Sequence, residues 1–311
     1  MLSLSSCSNT VKTLTSRFYY FDTLETVTIY DGKQEDMDYV EQIIKTIHEE
    51  SDNYSTENAL YRINQSSEVV TISETLYNLF YHSYEMKNFS NDYFNPLVGR
   101  LSKKWKAALK EGKILTQAEI EEELAKINST ELYLYSDNNK IAVSKVGEAE
   151  FDFGGIAKGY TLDVIKEYLD QNRISSYLID CGSSSILLGE KPTGKGYFNV
   201  GLNIPGVNNA YVQLKNCFIG ASGTSEQGVL IDSVMYSHIV NPYNGSVFNE
   251  HDYVFVSGNN GAMCDAFATA FMNMNFDDIK IYSELYDLET IIYNGSRLLY
   301  KTDNIEIKYH S

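Results

Sequence analysis

The fold is organised around a stretch that reads DFGGIAKGYTLD and spans residues 152–163. It joins the end of a strand-like run, a glycine turn, a lysine and the start of a helix. Glycine lets a backbone approach a ligand closely, and free N–H groups at a helix start attract anions. The stretch therefore suits a phosphate or pyrophosphate. It also fits a strand-to-helix connection whose glycines serve only the turn.

The composition limits the classes of ligand. The chain has 311 residues, 43% of them apolar, which is enough for a full core in one large domain or two ordinary ones. With 25 basic against 42 acidic residues, its net charge is −17, and no basic cluster interrupts the acidic surface. Nucleic acid and an electrostatic membrane site both need concentrated Lys and Arg, so both are disfavoured. An anionic substrate needs backbone amides, a few lysines or a metal ion.

The four cysteines lie far apart, without paired metal-ligand spacing, which disfavours a zinc site or a disulfide scaffold. Cys7 ends a Leu-Ser-Ser-Cys run that looks like the end of a bacterial lipoprotein signal, yet no charged and apolar leader precedes it. Two interpretations stay open: a chance match, or a start that has been trimmed or misassigned. The expected location is extracytoplasmic, as a bacterial membrane-anchored lipoprotein attached through Cys7.

The pattern of apolar residues predicts one continuous α+β unit with a mixed or antiparallel sheet flanked by helices, since no linker or internal repeat is visible. Residues 1–17 are expected to form a polar tail or lipoprotein tether, and residues 18–311 the domain. A polar loop is expected from Ser222 to Asp232. Strands are predicted near 18–30, 132–135, 140–143, 176–181, 197–202, 211–214, 217–221, 253–257 and 304–309, and helices near 35–50, 73–88, 101–110, 116–127, 160–169, 261–272 and 277–286.

The helix predicted over 261–272 carries an unusual pair. Asp265 and Thr269 stand four residues apart, so their oxygens face the same way. A carboxylate on so apolar a helix costs free energy unless it is paired or binds a metal. A structural alternative stays open, in which Thr269 bonds back to its own helix and Asp265 caps a neighbouring one.

Four segments together resemble the ApbE family, the FAD:protein FMN transferases. Residues 152–160 (DFGGIAKGY) are similar to that family's DLGGIAKGY run, and residues 237–245 (SHIVNPYNG) contain a version of its HIIDPxTG run. Residues 265–270 (DAFATA) match its DAxATA run, and residues 94–99 (FNPLVG) resemble its FDPTVG segment. The resemblance runs from about Asp22 to at least Met274, with all four segments in the family's order.

The resemblance implies a reaction. Family members split FAD at its pyrophosphate and attach FMN to a threonine or serine of a target protein through a phosphoester bond, releasing AMP. Such a transfer needs charge neutralisation at phosphoryl oxygens and a base for the attacking hydroxyl. The implied partners are FAD as substrate and an acceptor protein with an FMN-binding domain, in a membrane redox complex or an extracellular electron-transfer protein.

The resemblance also implies residue roles. Asp265, Thr269 and the main-chain carbonyl of Ala157 would hold Mg²⁺ against the pyrophosphate, because Mg²⁺ prefers oxygen ligands and substrate phosphate. Lys158 would add positive charge there, and His238 is the candidate base. Further contacts to the cofactor are expected from Gly154, Gly155, Lys158, Tyr93, Asn95, Ser184, Ser222 and Gly223.

Three positions depart from the family's pattern. The chain has Gly-Ser-Ser at 182–184 where Gly-Gly-Asn/Asp is usual, Gln227 replaces a common arginine, and Asn241 replaces the Asp of HIIDP. Two other functions therefore stay open beside transfer to a protein. One is FAD pyrophosphatase activity, with water as the acceptor, and the other is FAD binding with weakened catalysis.

Overall fold

A computed structural model describes residues 11–137, 140–192, 194, 196–224 and 227–310. Its centre is an antiparallel sheet of eight strands. In spatial order they are β1 (Thr13–Tyr20), β2 (Thr23–Tyr30), β6 (Tyr177–Cys181), β7 (Ser185–Leu188), β10 (Cys217–Gly223), β13 (Tyr253–Gly258), β14 (Glu289–Asn294) and β15 (Arg297–Lys301). The predicted α+β class with an antiparallel sheet is confirmed.

Helices cover one face of this sheet. The described helices are α1 (Gln34–Ser51), α2 (Ala59–Gln65), α3 (Glu74–Phe89), α4 (Gly99–Lys110), α5 (Gln117–Ser129), α6 (Ala157–Gln171), α7 (Gly261–Phe271) and α8 (Phe276–Leu285). Val27, Ile179 and Val256 face this layer and belong to the main core. The predicted caps are present: Ser73 accepts from the N–H of Leu76, and Thr116 forms a capping box with Glu119.

Three small sheets complete the fold. They are β8 (Phe198–Gly201) with β9 (Ala210–Leu214) and β16 (Lys308–Tyr309); β4 (Glu131–Asp137) with β5 (Lys140–Val146) and β3 (Val70–Thr71); and β11 (Val229–Ile231) with β12 (Val234–Tyr236). The β8–β9–β16 sheet covers the other face of the central sheet, where Phe198, Val212 and Phe255 share a second core. The inner strands of the central sheet therefore have two buried faces.

Two boundaries differ from the predictions. The domain begins no later than Thr13, so residues 13–17 are not part of a tail. The first residues of β1 have the composition of a polar tail because this strand lies at a sheet edge, where Thr13, Thr15 and Arg17 are exposed. The loop predicted to start at Ser222 starts later, since Ser222 and Gly223 pair with Val254 and Tyr253 in the sheet. Residues 1–10, which include Cys7, lie outside the described chain.

The close contact of α6 with α7 fixes the centre of the molecule. A Cβ atom on Gly159 would lie 2.2 Å from the carbonyl oxygen of Gly261, so the two backbones touch directly. The Asp163 carboxylate of α6 accepts hydrogen bonds from the N–H groups of Gly261 (2.6 Å) and Ala262 (2.8 Å), which caps the start of α7. Burial raises the pKa of Asp163 to about 6, although these two bonds favour the carboxylate.

Replacing Gly159 by Ala tests this contact. The substitution raises intrinsic helix propensity by about 1 kcal/mol. The added methyl group also pushes α6 away from α7, and such overpacking costs about 1–3 kcal/mol. We expect a lower melting temperature in thermal unfolding. We also expect weaker binding of a ligand by the residues on α7. The matched control is Gly201→Ala on β8, where an added Cβ meets no atom within 4 Å. Equal melting temperatures for the two variants would contradict the contact.

Candidate active site

Asp265 lies at the junction of α6, α7 and β7. Its carboxylate is 4% exposed, and it accepts hydrogen bonds from the N–H of Gly159 (2.9 Å) and the hydroxyl of Ser185 (3.1 Å). Burial raises the pKa of Asp265, while the Lys158 ammonium and the two hydrogen bonds lower it. Each carboxylate oxygen keeps a free lone pair, so the group is still able to bind a cation.

Thr269 lies one helical turn beyond Asp265, against the glycine turn that precedes α6. A Cβ atom on Gly155 would lie 2.8 Å from the Thr269 hydroxyl oxygen and 3.3 Å from the ring of Phe94. A side chain at position 155 would therefore collide with the hydroxyl, and glycine avoids this collision. Gly154 beside it is exposed, and its N–H donates to the Asp152 carboxylate (2.8 Å).

Oxygen atoms of α6 and α7 thus lie near one another at the start of α6. The carbonyl of Ala157 accepts a hydrogen bond from the hydroxyl of Thr161 (2.7 Å), so one of its lone pairs is already used. A buried carboxylate, a hydroxyl and a carbonyl form a donor set that fits Mg²⁺, which usually takes one or two carboxylates and completes its shell with water and phosphate. Among the described residues, no three His, Cys, Asp or Glu side chains cluster as metal ligands. The donor set therefore does not resemble a zinc centre.

Lys158 supplies the positive charge at this point. It is the second residue of α6 and is partly exposed. Within the described part of the chain its ammonium has no ion pair, although it lowers the pKa values of Asp265 and Glu25 and also that of His238. The ammonium is therefore available to an anionic ligand.

The loop that carries His238 is fixed to the end of α7. Asn249 donates to the Asn273 side chain (2.7 Å) and to the Ile239 carbonyl (3.0 Å), and its carbonyl oxygen accepts from the Ser237 hydroxyl. On the other side of the loop, the indole N–H of Trp105 donates to the Gly245 carbonyl (2.7 Å). These bonds place the loop at a defined position relative to α7.

His238 is exposed to solvent, yet partial desolvation and the charges of Lys158 and Lys106 lower the pKa of its imidazole to about 4. Because the pKa is lowered, the ring is neutral at pH 7 and able to accept a proton.

The predicted serine and glycine contacts occupy turns and strand ends. The Ser184 hydroxyl donates to the Cys181 carbonyl (3.5 Å) within the β6–β7 turn. Ser222 and Gly223 lie at the end of β10, two and three residues after Gly220, which contacts α7. Their roles in binding cofactor stay predictions.

Tyr93 and Asn95 lie on either side of Phe94 in its loop. The Tyr93 ring packs against Tyr243 at 4.8 Å. The Asn95 side chain is used within its own turn, where it accepts from the N–H of Leu97 (3.0 Å). Asn95 also lines a hollow of about 600 Å³, which neither Asp265 nor Lys158 lines. Phe94 lies beside Gly155 and Thr269, and the roles of Tyr93 and Asn95 in binding the cofactor stay predictions.

The departures from the family pattern are structurally mild. Asn241 accepts from the N–H of Tyr243 (2.9 Å), which an aspartate would do equally well. Ser183 has a φ of 62°, a left-handed conformation that favours glycine, and its N–H donates to Asp180. Gln227 is exposed beside residues 225–226, which lie outside the described chain.

Sequence reasoning missed three residues of this site. Ser185 holds Asp265, Gly220 makes room for the carbonyl of Cys264 on α7, and Glu25 lies buried near Lys158. Strand alternation after the Gly-Ser-Ser turn could have favoured Ser185 over Ser184, because only one of two successive side chains faces the helices. An acidic residue on the core face of β2 was a second available signal.

Comparisons with known proteins identify the family. The model of the ApbE family matches residues 21–292. A FAD:protein FMN transferase of Chlamydia muridarum is 25% identical over 253 residues, which cover 79% of this chain and 78% of that protein. One of Treponema pallidum is 26% identical over 224 residues, covering 67% of this chain and 62% of its own length.

Solved structures share the fold. The ApbE protein of Thermotoga maritima superposes with a TM-score of 0.79 at 20% identity, covering 96% of this chain and 97% of the other. The flavin transferase ApbE of Vibrio cholerae gives a TM-score of 0.76 at 20% identity, covering 97% and 98%. The family match spans most of the chain and includes every segment of the site, and the chain therefore belongs to the ApbE family.

Proposed function

We propose that this chain is a flavin transferase that moves FMN from FAD to a threonine or serine hydroxyl of a target protein, with Mg²⁺ as cofactor and AMP as the leaving product. The observation that carries the proposal is the meeting of a buried Asp265, an unobstructed Thr269 hydroxyl and an unpaired Lys158 at one helix start. The names of the relatives support flavin transfer to protein.

The proposed reaction uses each of these groups at a stated atom. Asp265, Thr269 and the Ala157 carbonyl would hold Mg²⁺, which when bound neutralises charge on the pyrophosphate oxygens. Lys158 binds a phosphate oxygen of FAD through its ammonium. His238 accepts the proton of the acceptor hydroxyl, whose oxygen bonds to the FMN phosphorus while the bond to the AMP oxygen breaks.

The low pKa of His238 is consistent with this role. Before FAD binds, the His238 ring is neutral at pH 7, so no proton has to leave it before the acceptor binds.

The acceptor is proposed to be a protein with an FMN-binding domain, in a membrane redox complex or an extracellular electron-transfer protein. Attachment to a membrane through Cys7 is also a proposal, since Cys7 lies outside the described residues. Among the helices that are described, none is long and apolar enough to cross a membrane.

Removing the metal pair tests the proposal. We expect Asp265→Asn and Thr269→Val to lower the rate of FMN transfer at least about a hundredfold, because each removes an oxygen that would hold Mg²⁺, the ion that would neutralise phosphate charge. The measurement is flavin fluorescence of the acceptor on a denaturing gel, with Mg²⁺ and with chelator. An acceptor that stays unlabelled by the unaltered protein at every Mg²⁺ concentration would exclude transfer. Release of AMP and FMN without acceptor would indicate hydrolysis instead.

The pH profile tests His238. The base must be neutral to act, and its pKa is lowered, so kcat/KM is expected to stay level from about pH 7 down to about pH 5 and to fall only below that. His238→Ala is expected to lower kcat about a hundredfold or more while FAD still binds. The Asn241→Asp variant is the control, because the turn beside His238 is preserved. An acidic limb centred near pH 6.5 would contradict the lowered pKa.

A further inference from the structure

Ser185 is a buried polar residue among the core residues of β7. Along this strand Leu187 belongs to the main core under the helices, whereas Ile186 and Leu188 face the second core on the other side of the sheet. Because side chains alternate along a strand, Ser185 faces the helices with Leu187. It is 1% exposed, and in the part of the chain that the structure describes its hydroxyl has one hydrogen-bond partner, the Asp265 carboxylate (3.1 Å). The hydroxyl is therefore accounted for by Asp265.

The backbone of the neighbouring strand brings this hydroxyl within reach of α7. Ser185 pairs with Gly220 of β10 in the sheet register. A Cβ atom on Gly220 would lie 2.2 Å from the carbonyl oxygen of Cys264 and 2.8 Å from the main-chain nitrogen of Asp265, so glycine lets α7 approach the sheet closely. The separation of hydroxyl and carboxylate is thus set by packed backbones and by a short side chain, and it has little freedom to change.

The Asp265 carboxylate is held at both of its oxygens. Oδ1 accepts from the Ser185 hydroxyl on β7, and Oδ2 accepts from the N–H of Gly159 on α6 (2.9 Å). The torsion that turns an aspartate carboxylate has a broad energy minimum, so one hydrogen bond leaves the group free to rotate. Two bonds from separate elements fix its plane. The Gly159 donor belongs to the main chain, and Ser185 supplies the half of this restraint that a substitution is able to remove.

Divalent cations differ in how much they depend on such a restraint. Mg²⁺ requires a near-ideal octahedron with ligands at about 2.0–2.1 Å, whereas Ca²⁺ takes about six to eight oxygens at about 2.3–2.6 Å in flexible geometry. Residues that orient a metal ligand typically change metal affinity about 10–100-fold when they are replaced. A fixed carboxylate therefore favours Mg²⁺, and a mobile carboxylate is better tolerated by Ca²⁺.

We propose that Ser185 is a positioning residue that sets the preference of the site for Mg²⁺ over Ca²⁺ by fixing the Asp265 carboxylate. The inference rests on the proposed function, since it takes Asp265 as a ligand of the metal. Ser185 acts through Asp265, because its hydroxyl is bonded to Oδ1 and its side chain is buried.

Replacing the hydroxyl tests this selectivity. Ser185→Ala is expected to weaken Mg²⁺ binding about tenfold and Ca²⁺ binding by less than about twofold, because Mg²⁺ depends more strongly on a fixed ligand. Ser185→Cys has a similar size and a weak donor, so it is expected to lie between Ser185→Ala and the unaltered protein. The dissociation constants of Mg²⁺ and of Ca²⁺ are measured by isothermal titration calorimetry on the full chain, without FAD and with saturating FAD. The ratio of the two constants is compared, since a general loss of structure weakens the binding of both ions.

Ser283→Ala is the matched control. Ser283 of α8 is 2% exposed, and its hydroxyl shares a hydrogen bond with the hydroxyl of Thr290 (2.9 Å). This variant should lower the melting temperature, as Ser185→Ala does, and leave the ratio of the two dissociation constants unchanged. The inference is overturned if Ser185→Ala weakens Mg²⁺ and Ca²⁺ binding equally, if it leaves Mg²⁺ binding unchanged, or if the unaltered protein does not bind Mg²⁺ in preference to Ca²⁺.

Metal titration and acceptor labelling separate this inference from the proposed function. If the unaltered protein binds Mg²⁺ but labels no acceptor, the proposed function fails and the titrations still decide the role of Ser185. If the acceptor is labelled and the ratio of the dissociation constants is the same in Ser185→Ala and Ser283→Ala, the proposed function stands and Ser185 has only a structural role.

Discussion

The structure depends on the direct contact between the backbones of α6 and α7. Gly159 and Gly261 allow this contact, and the Asp265 carboxylate accepts the Gly159 N–H within it. The same bond that joins the two helices also orients the carboxylate proposed to bind metal. Packing and chemistry are therefore inseparable at this point, since any shift of α6 moves both Ala157 and Lys158 relative to Asp265.

The central sheet supplies the second support. Ser185 holds the other oxygen of Asp265, and Gly220 lets α7 approach β10 so closely that a Cβ atom there would lie 2.2 Å from the Cys264 carbonyl. The oxygens of Asp265 are thus fixed from a helix and from a strand. Preorganised groups of this kind need little rearrangement when a charged ligand binds.

Much of this was predictable from the sequence, and the failures have physical causes. Helices and caps followed from apolar spacing and from Ser73 and Thr116, because these signals are local. The candidate metal pair could be proposed from the sequence because an aspartate is unusual on an apolar helix. The first five residues of β1 were missed since an edge strand needs few apolar residues. Ser185 was missed because the face that a strand residue presents depends on the turn before it. The position of Glu25 near the site could not be predicted, because it depends on sheet pairing with Cys181, a contact between residues 156 positions apart.

The hydrogen bond from Trp105 to Gly245 has one more consequence. The chain contains a single tryptophan, and its indole is 4% exposed and bound to the loop that carries His238. Intrinsic emission excited at the red edge of protein absorbance therefore originates from one place. The molecule carries its own optical reporter for the position of the His238 loop, without any attached dye.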